Sequence, residues 1–261
     1  MGWFSSVTSV FTKVVNAVGS AVGQAFNILK EFIRRLIGLG NFFLSLLGHM
    51  PMKKIRVTVV ILRNQNGPLA EETRVRARVE EVSQIFETEA KIEIVAPRAG
   101  LVVTEPGRAP TYALEVSCGA GAWGEEFGDA GAYSRDRLAS SLLGTLFGVG
   151  QPVTAFVVLS IEPLGGCSLG PLTNYVTVEK VTERIPGQQT TGDDVSVPDT
   201  DVDTIRLRTL AHEIAHACGL WHPWSDDVNN LMTKSSDGGV GTELSRWQRA
   251  IFRASRHVTY L

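Results

Sequence analysis

The sequence predicts a mixed α/β (α+β) fold preceded by a helical N-terminal extension, and three stretches of the chain support this fold class. Residues 55–62 read IRVTVVIL, a run of β-branched side chains that is typical of a strand. Residues 71–88 predict a helix, because four apolar side chains share one helical face: Val75, Val79, Val82 and Phe86. Residues 1–52 carry a much longer apolar stripe at helical spacing.

The remaining elements follow from local patterns along the chain. Further strands are expected at 91–95, with 101–104 as a continuation or a separate strand, and at 112–118, 155–161 and 174–179. A short helix is expected at 135–147. Residues 119–132 are predicted to be a glycine-rich loop, and residues 181–203 a loop that contains a cluster of aspartates.

The first fifty residues differ in composition from the rest of the chain. Their apolar side chains alternate between spacings of three and four: Phe4, Val7, Phe11, Val14, Val18, Ala21, Ala25, Ile28 and Phe32. A second apolar run over 36–47 is shorter than the ~20 residues of a membrane span. The first proline is Pro51, and residues 1–52 carry a net charge of +3 against −5 for the remainder. We therefore divide the chain into 1–52 and 53–261.

Three interpretations of residues 1–50 stay open. A helix on a membrane surface fits the bulky apolar face and the nearly uncharged polar face. A helix that self-assembles or docks on a partner fits the heptad spacing equally well. The third is a helical extension folded against its own domain. The segment lacks the positive start and small-residue cleavage site of an ordinary secretory signal. Membrane association, export by a non-standard route and a cytoplasmic location therefore all remain expectations.

A short run of histidines carries the chemistry of the chain. Three of the five histidines fall between residues 212 and 222, in the run HEIAHACGLWH. His212 and His216 are four residues apart, so on a helix they share a face and can bind one cation. Gly219 permits the turn that ends such a helix and lets His222 supply a third ligand. Three imidazoles with an open fourth position are typical of catalytic zinc, and Glu213 stands where a general base is needed.

With these residues, the chain resembles the metzincin clan of zinc peptidases, whose pattern is HExxHxxGxxH followed by a Met-turn. Asn229-Asn230-Leu231-Met232 matches that turn, and the resemblance implies that Met232 forms an apolar floor under the metal. Pro223, after the third histidine, is similar to serralysin-like enzymes. Residues 244–248 look like the start of the last matrixin helix. The subfamily therefore stays unresolved.

The resemblance implies a fold and an activity. The fold would contain a twisted mixed sheet, an antiparallel edge strand above the cleft, a zinc-binding helix, the Met-turn and a C-terminal helix. Residues 166–171 would border the substrate groove. The activity would be zinc-dependent endopeptidase hydrolysis of a protein or peptide, with Glu213 as general base. The rival hypothesis is a membrane-inserting or particle-associated effector, in which the N-terminal helix drives assembly and the zinc domain is cargo or a binding module.

Other ligands and cysteine roles follow from composition. A net charge of −2 without a basic cluster argues against a nucleic-acid partner. Spaced carboxylates could bind Ca²⁺, although a solvated loop is favoured: Asp193, Asp194, Asp199, Asp201 and Asp203. Cys118 and Cys167 could form a disulfide, which spacing cannot decide. A latent state with Cys118 on the zinc is disfavoured, because its neighbours differ from those of the matrixin switch. Cys218 is expected to be a buried apolar residue.

Overall fold

The computed structural model describes residues 38–118, 128–139, 149–162, 165–185, 200–224, 227–234 and 241–260, with the backbone alone at 183–185 and 200–204. The predicted N-terminal stripe from Phe4 to Phe32 lies outside these residues.

The described residues form helices and strands in a mixed α/β order. The helices are α1 (38–46), α2 (Glu72–Ala90), α3 (Thr111–Leu114), α4 (Asp129–Arg135), α5 (Leu207–Ala217) and α6 (Arg246–Ala254), with a 3₁₀ turn at Gly170–Leu172. The strands are β1 (Lys53–Ile61), β2 (Arg63–Asn64), β3 (Gly67–Pro68), β4 (Ile92–Val95), β5 (Val102–Thr104), β6 (Glu115–Ser117), β7 (Val153–Val158), β8 (Ser160–Glu162), β9 (Gly166–Cys167), β10 (Tyr175–Ile185), β11 (Thr200–Ile205) and β12 (Val258–Thr259).

The main sheet is built around β1 and is mostly parallel. β4 and β5 pair in parallel with successive parts of β1, and β7 pairs in parallel with its second half. β10 extends the sheet in parallel from β7. Three antiparallel additions complete it: β12 on β1, and β9 and β11 on β10. Every residue of β7 is buried, as expected for a parallel strand covered on both faces.

The core lies between this sheet and the helices α2, α5 and α6, and α2 contacts both of the other helices. The buried face of α2 contains the four apolar residues expected from its periodicity, together with Ala90. Phe86 on this face meets Phe252 of α6 edge-on, with ring centroids 4.8 Å apart. α2 ends at Lys91, a non-glycine residue with φ of 54°, whose N–H bonds the last helical carbonyls. The predictions of β1 and α2 are thus confirmed.

Two predicted elements of the middle of the chain are wrong in part. The expected strand at 112–118 begins as helix α3, because the carbonyl of Pro110 accepts the N–H groups of Ala113 and Leu114 and both side chains become buried. Only its second half is the strand β6. Of the expected helix at 135–147, the described residues 136–139 are not helical, and a helix, α4, lies just upstream of them; residues 140–147 lie outside the described residues. Gly131 inside α4 lowers helix propensity and concealed it, whereas Asp129 in the first turn favours the helix N-terminus.

The expected acidic loop at 181–203 is also partly wrong. β10 continues to Ile185, and β11 returns antiparallel to it, with Ile185 opposite Thr200 and Lys180 opposite Ile205. The segment TDVDTI alternates with period two, a strand pattern that the aspartates obscured. Asp201 and Asp203 therefore lie in a strand, and the other three aspartates lie outside the described residues. Nothing in the described part of the chain adds support for calcium.

Residues 38–52 pack on the C-terminal helix. The guanidinium of Arg253, in α6, is fully buried and donates to Ser45 Oγ at 3.0 Å and to the carbonyl of Pro51 at 2.7 Å. It also donates to the carbonyls of Ala90 and Lys91 at the end of α2. Arg253 thereby joins the segment before β1, the end of α2 and α6. Across the described parts of the chain, no helix is long and apolar enough to cross a membrane.

We expect Arg253→Met to lower the free energy of unfolding by about 3 kcal/mol, because it leaves several buried acceptors without their charged donor. Chemical denaturation measures the change. Arg246→Met is the matched control on the same helix. Arg246 is exposed, so this substitution should change the free energy of unfolding by less than about 0.5 kcal/mol. Equal effects of the two substitutions would contradict the role given to Arg253.

Candidate metal centre

Helix α5 places two histidines and a glutamate side by side. α5 packs with its apolar residues Leu210, Ala211, Ile214 and Ala215 fully buried. This packing fixes the direction in which His212 and His216 project, one turn apart on the same face. Glu213 is also buried, with 7% of its surface exposed. The three functional side chains of the motif thus project from a helix that the core holds in place.

The third histidine arrives through a tight turn at the end of α5. Cys218 caps the helix, and Gly219 adopts φ of 93°, a left-handed conformation that L-residues with a side chain rarely adopt. The N–H of Gly219 donates to the carbonyl of His216 at 2.8 Å. The chain then reverses direction, so that His222 comes back against the other two imidazoles.

The three imidazoles converge on one point. Nε2 of His222 lies 3.1 Å from Nε2 of His216 and 3.3 Å from Nε2 of His212. A tetrahedral zinc with bonds of ~2.0–2.1 Å separates two ligand nitrogens by about 3.4 Å. The spacing of the donor atoms therefore fits a tetrahedral metal ion.

The backbone determines which nitrogen each imidazole offers. Nδ1 of His212 faces the carbonyl of Leu231 at 2.8 Å, and Nδ1 of His216 faces the carbonyl of Leu220 at 2.7 Å. A carbonyl can only accept, so both Nδ1 atoms carry the proton and both Nε2 atoms present a lone pair. His222 Nε2 could donate to only one of them. A cation at the centre satisfies all three.

Burial favours the neutral, ligating form of these rings. Desolvation, the positive charge of neighbouring imidazoles and nearby Arg208 lower the pKa of His212 to about 3, although the hydrogen bond that His212 donates to the carbonyl of Leu231 raises it. Desolvation is also the main cause that lowers the pKa of His216 to about 4. Neutral imidazole is the form that binds metal, so the site is ready for a cation near neutral pH.

The segment after His222 forms a tight turn against α5. Thr233 N–H donates to the carbonyl of Asn230 at 3.1 Å, which closes a turn with fully buried Met232 in its third position. Arg208 of α5 donates to several carbonyls around this turn, among them Leu231 at 3.0 Å and Gly241 at 3.1 Å. The carbonyl of Leu231 is the one that also faces His212.

A second pair of side chains joins the turn to α6. Asn230 and Gln248 exchange two amide hydrogen bonds, at 2.8 and 3.2 Å, and both residues are buried. The Asn230 side chain also accepts the N–H of Met232 at 2.9 Å. Gln248 is, in addition, the N3 residue of the capping box whose N-cap residue is Ser245, at the start of α6. The first turn of α6 therefore supports the segment that contains Met232.

A cleft of about 340 Å³ opens over the three histidines. Its other walls come from β9 and its neighbours, from Thr209 and Arg208 of α5, and from Lys234. Cys118 and Cys167 form a disulfide at its edge, with their Cα atoms 5.7 Å apart. The disulfide ties the chain after β6 to β9, and it leaves Cys118 without a free thiol to reach the metal. Cys218 is free and buried.

Burial raises the pKa of Glu213 to about 8. A cation held by the imidazoles would act in the opposite direction, because a nearby positive charge favours the carboxylate. A bound metal ion would therefore favour ionisation of Glu213, and the ionised carboxylate would favour metal binding.

Sequence reasoning missed the supporting residues of this centre. Arg208 belongs to no motif, and Gln248 was noted only as part of the expected last helix at 244–248. The carbonyls of Leu220 and Leu231 are backbone atoms that residue identity does not reveal. The only available signal was position: Arg208 lies one turn before His212 on the same helical face.

Comparison with known proteins gives little to add to this geometry. The chain matches no protein-family model and no curated protein. Among solved structures it is similar to mirolysin in complex with compound 9, at 14% identity and a TM-score of 0.44, over 78% of this chain and 91% of that one. It is also similar to mature mirolysin of Tannerella forsythia in complex with a cleaved peptide, at 13% identity and a TM-score of 0.43, over 77% of this chain and 90% of that one.

A zinc-dependent peptidase from Methanocorpusculum labreanum gives 14% identity and a TM-score of 0.38, over 76% of this chain and 99% of that one. At such TM-scores the chemistry of this chain has to be argued from its own residues.

The metal-free protein should show how pH acts on buried Glu213. Folding raises the pKa of this carboxyl from 4.5 to about 8, so its contribution to stability is present below pH 4.5 and is lost as the pH rises through 8. Glu213→Gln stays neutral, so its melting temperature should rise relative to wild type between pH 4.5 and 8. Calorimetry in a chelating buffer measures the difference. A difference that does not vary with pH would contradict the assignment.

Proposed function

We propose that this chain is a zinc-dependent endopeptidase with a metzincin-type catalytic domain. One observation carries the proposal: three imidazole Nε2 atoms converge at tetrahedral spacing in an open cleft, with Glu213 on the same helix. The turn that contains Met232, the antiparallel strand β9 at the cleft and the helix α6 after the turn are consistent with a metzincin arrangement. The subfamily stays open.

The residues divide the reaction between them. Zinc bound at the three histidines supplies Lewis acidity, which activates water and polarises the scissile carbonyl. Glu213 accepts the proton that the attacking water releases and passes it to the leaving amine. An extended peptide would lie along β9 and pair with it as an added strand.

Metal analysis and peptide turnover test the proposal together. The purified protein should contain about one zinc per chain, and His216→Ala should lose it, because two imidazoles make a poor site. Glu213→Gln should keep the zinc and lose ~10²–10⁴ in turnover of a short peptide. His49→Ala is the control, since His49 lies outside the cleft and is exposed. Full zinc in His216→Ala, or near-normal turnover in Glu213→Gln, would refute the assignment.

We further propose that the N-terminal segment places the enzyme on a membrane surface. Leu39, Phe43 and Leu47 lie four residues apart in and just after α1 and are 54%, 59% and 80% exposed. Phe42 of the same helix packs edge-on against Trp247, at 4.9 Å between ring centroids. Trp221 and Trp224 share a groove with Trp247 and are also exposed. Aromatic and aliphatic side chains on a segment with net charge +3 suit an anionic lipid surface.

The effector hypothesis would make this surface the main function and the zinc domain its cargo. The intact Glu213 argues against it, because a binding module needs no general base. The alternative occupant of the exposed face of α1 is a partner protein, and the vesicle experiment below distinguishes it from a membrane.

Vesicle sedimentation tests the membrane proposal with the full chain. The triple variant Leu39→Ser/Phe43→Ser/Leu47→Ser should lose binding to vesicles that contain anionic phospholipid and keep peptide turnover, since each buried apolar side chain contributes ~1.5–3 kcal/mol. Leu172→Ser is the control, because Leu172 is 70% exposed outside α1. Unchanged binding by the triple variant would exclude this face, and absence of vesicle binding by the wild type would favour a protein partner.

A further inference from the structure

Gly166 lies against the catalytic helix with no room for a side chain. It belongs to β9, where it pairs with Val178 of β10. An ideal Cβ on Gly166 would stand 2.5 Å from Cγ2 of Thr209, 2.7 Å from Oε1 of Glu213 and 2.8 Å from Cγ of Glu213. Real Cβ atoms do not come that close to other heavy atoms. The backbone of β9 therefore approaches the side chain of Glu213 as closely as glycine allows.

Neither backbone is free to withdraw. β9 is held by its pairing with β10, by the hydrogen bond from Glu179 N–H to the carbonyl of Gly165 at 2.9 Å, and by the disulfide of Cys167. On the other side, α5 is held by its buried apolar face. Thr209 and Glu213 are one helical turn apart and face β9 together.

A side chain at position 166 would therefore displace the Glu213 carboxylate. Thr209 is β-branched and has few rotamers in a helix, so it cannot turn away easily. Glu213 has three side-chain torsions and a terminal carboxylate, so it is the group that moves. That movement takes the carboxylate out of the position it holds in the cleft that the three imidazoles also line.

We propose that Gly166 is a positioning residue for the hydrolysis: its missing side chain forms the space that holds the Glu213 carboxylate beside the metal centre. This proposal rests on the proposed peptidase function. It gives β9 a second role. Besides pairing with the substrate, Gly166 of β9 would form the wall against which the Glu213 carboxylate rests.

Gly166→Ala and Gly107→Ala form a pair of variants. A Cβ on Gly107 meets nothing within 4 Å, and Gly107 is exposed away from the cleft, so it is the control. We expect Gly166→Ala to lower kcat for a short peptide about a hundredfold, the loss that a misplacement of ~1 Å can cause, with KM and zinc affinity nearly unchanged. Gly107→Ala should keep kcat within about twofold of wild type. Equal kcat losses in both, or a loss confined to KM, would overturn the proposal.

A double-mutant cycle in the zinc-free protein tests the contact without activity. Gly166→Ala should lower the melting temperature in the wild-type background and lower it less in the Glu213→Ala background, where the carboxylate is gone. Any decrease in melting temperature that remains in the Glu213→Ala background comes from contact with Thr209 Cγ2. It should become smaller when Thr209→Ser removes that methyl group. The same decrease in both backgrounds would overturn the proposal.

The two assays separate the two proposals. If the cycle shows coupling and the wild-type protein hydrolyses no peptide, the peptidase function fails while the contact between Gly166 and Glu213 stands. If Gly166→Ala does not fold alone, folding of Gly166→Ala/Glu213→Ala shows the coupling directly, and failure of both to fold overturns it.

Discussion

The contact between His212 Nδ1 and the carbonyl of Leu231 is the interaction on which the metal centre depends. It fixes the proton on Nδ1 and so aims the Nε2 lone pair at the site of the cation. It also joins α5 to a turn 19 residues farther along the chain. A carbonyl can hold a ring in this way only if the turn itself is held. Arg208 on one side, and Asn230 with Gln248 on the other, provide that support.

The electrostatics of the site follow from this rigid frame. The core keeps His212 and His216 neutral and keeps Glu213 from ionising easily, because burial disfavours each charged form. Without a cation, the cleft therefore holds facing lone pairs beside a carboxyl that retains its proton. A divalent ion would reverse both conditions at once, since it would accept the lone pairs and favour the carboxylate. Metal binding and ionisation of Glu213 would thus be one electrostatic event in this cleft.

Much of the fold was predictable because its signals are local. The β-branched run of β1 and the buried stripe of α2 depend on neighbours within one element, and both were predicted within two residues. The strand at 174–179 was predicted and forms the first half of β10. The helix α3, the second half of β10 and the strand β11 were not, because each depends on a partner: the carbonyl of Pro110 accepts hydrogen bonds from α3, and β11 pairs with the second half of β10. The aspartates of β11 predict a loop, because Asp has low strand propensity. Pairing with β10 outweighs that propensity in the folded chain.

The same distinction applies to the metal centre. The motif residues are recognisable in sequence because side-chain chemistry at fixed helical spacing defines them. Several of their supports are recognisable only in three dimensions, since they are backbone carbonyls, a glycine with no room for a side chain, and the side chain of Arg208, which belongs to no metal-binding pattern. A sequence motif states which atoms would bind the metal, and the fold determines whether those atoms meet.

Helix α6 links the metal centre to the segment before β1. Its first turn contains Gln248, which bonds to Asn230 beside Met232. Its last turn contains Arg253, which bonds to Ser45 and to the carbonyl of Pro51. One helix of nine residues therefore supports the turn behind His212 and anchors residues 38–52. The described part of the N-terminal segment is consequently tied by buried hydrogen bonds to the domain that contains the three histidines. An attachment of α1 to a membrane would fix the orientation of the cleft as well as its location, because Phe42 of α1 packs on Trp247 of α6 and Ser45 bonds to Arg253.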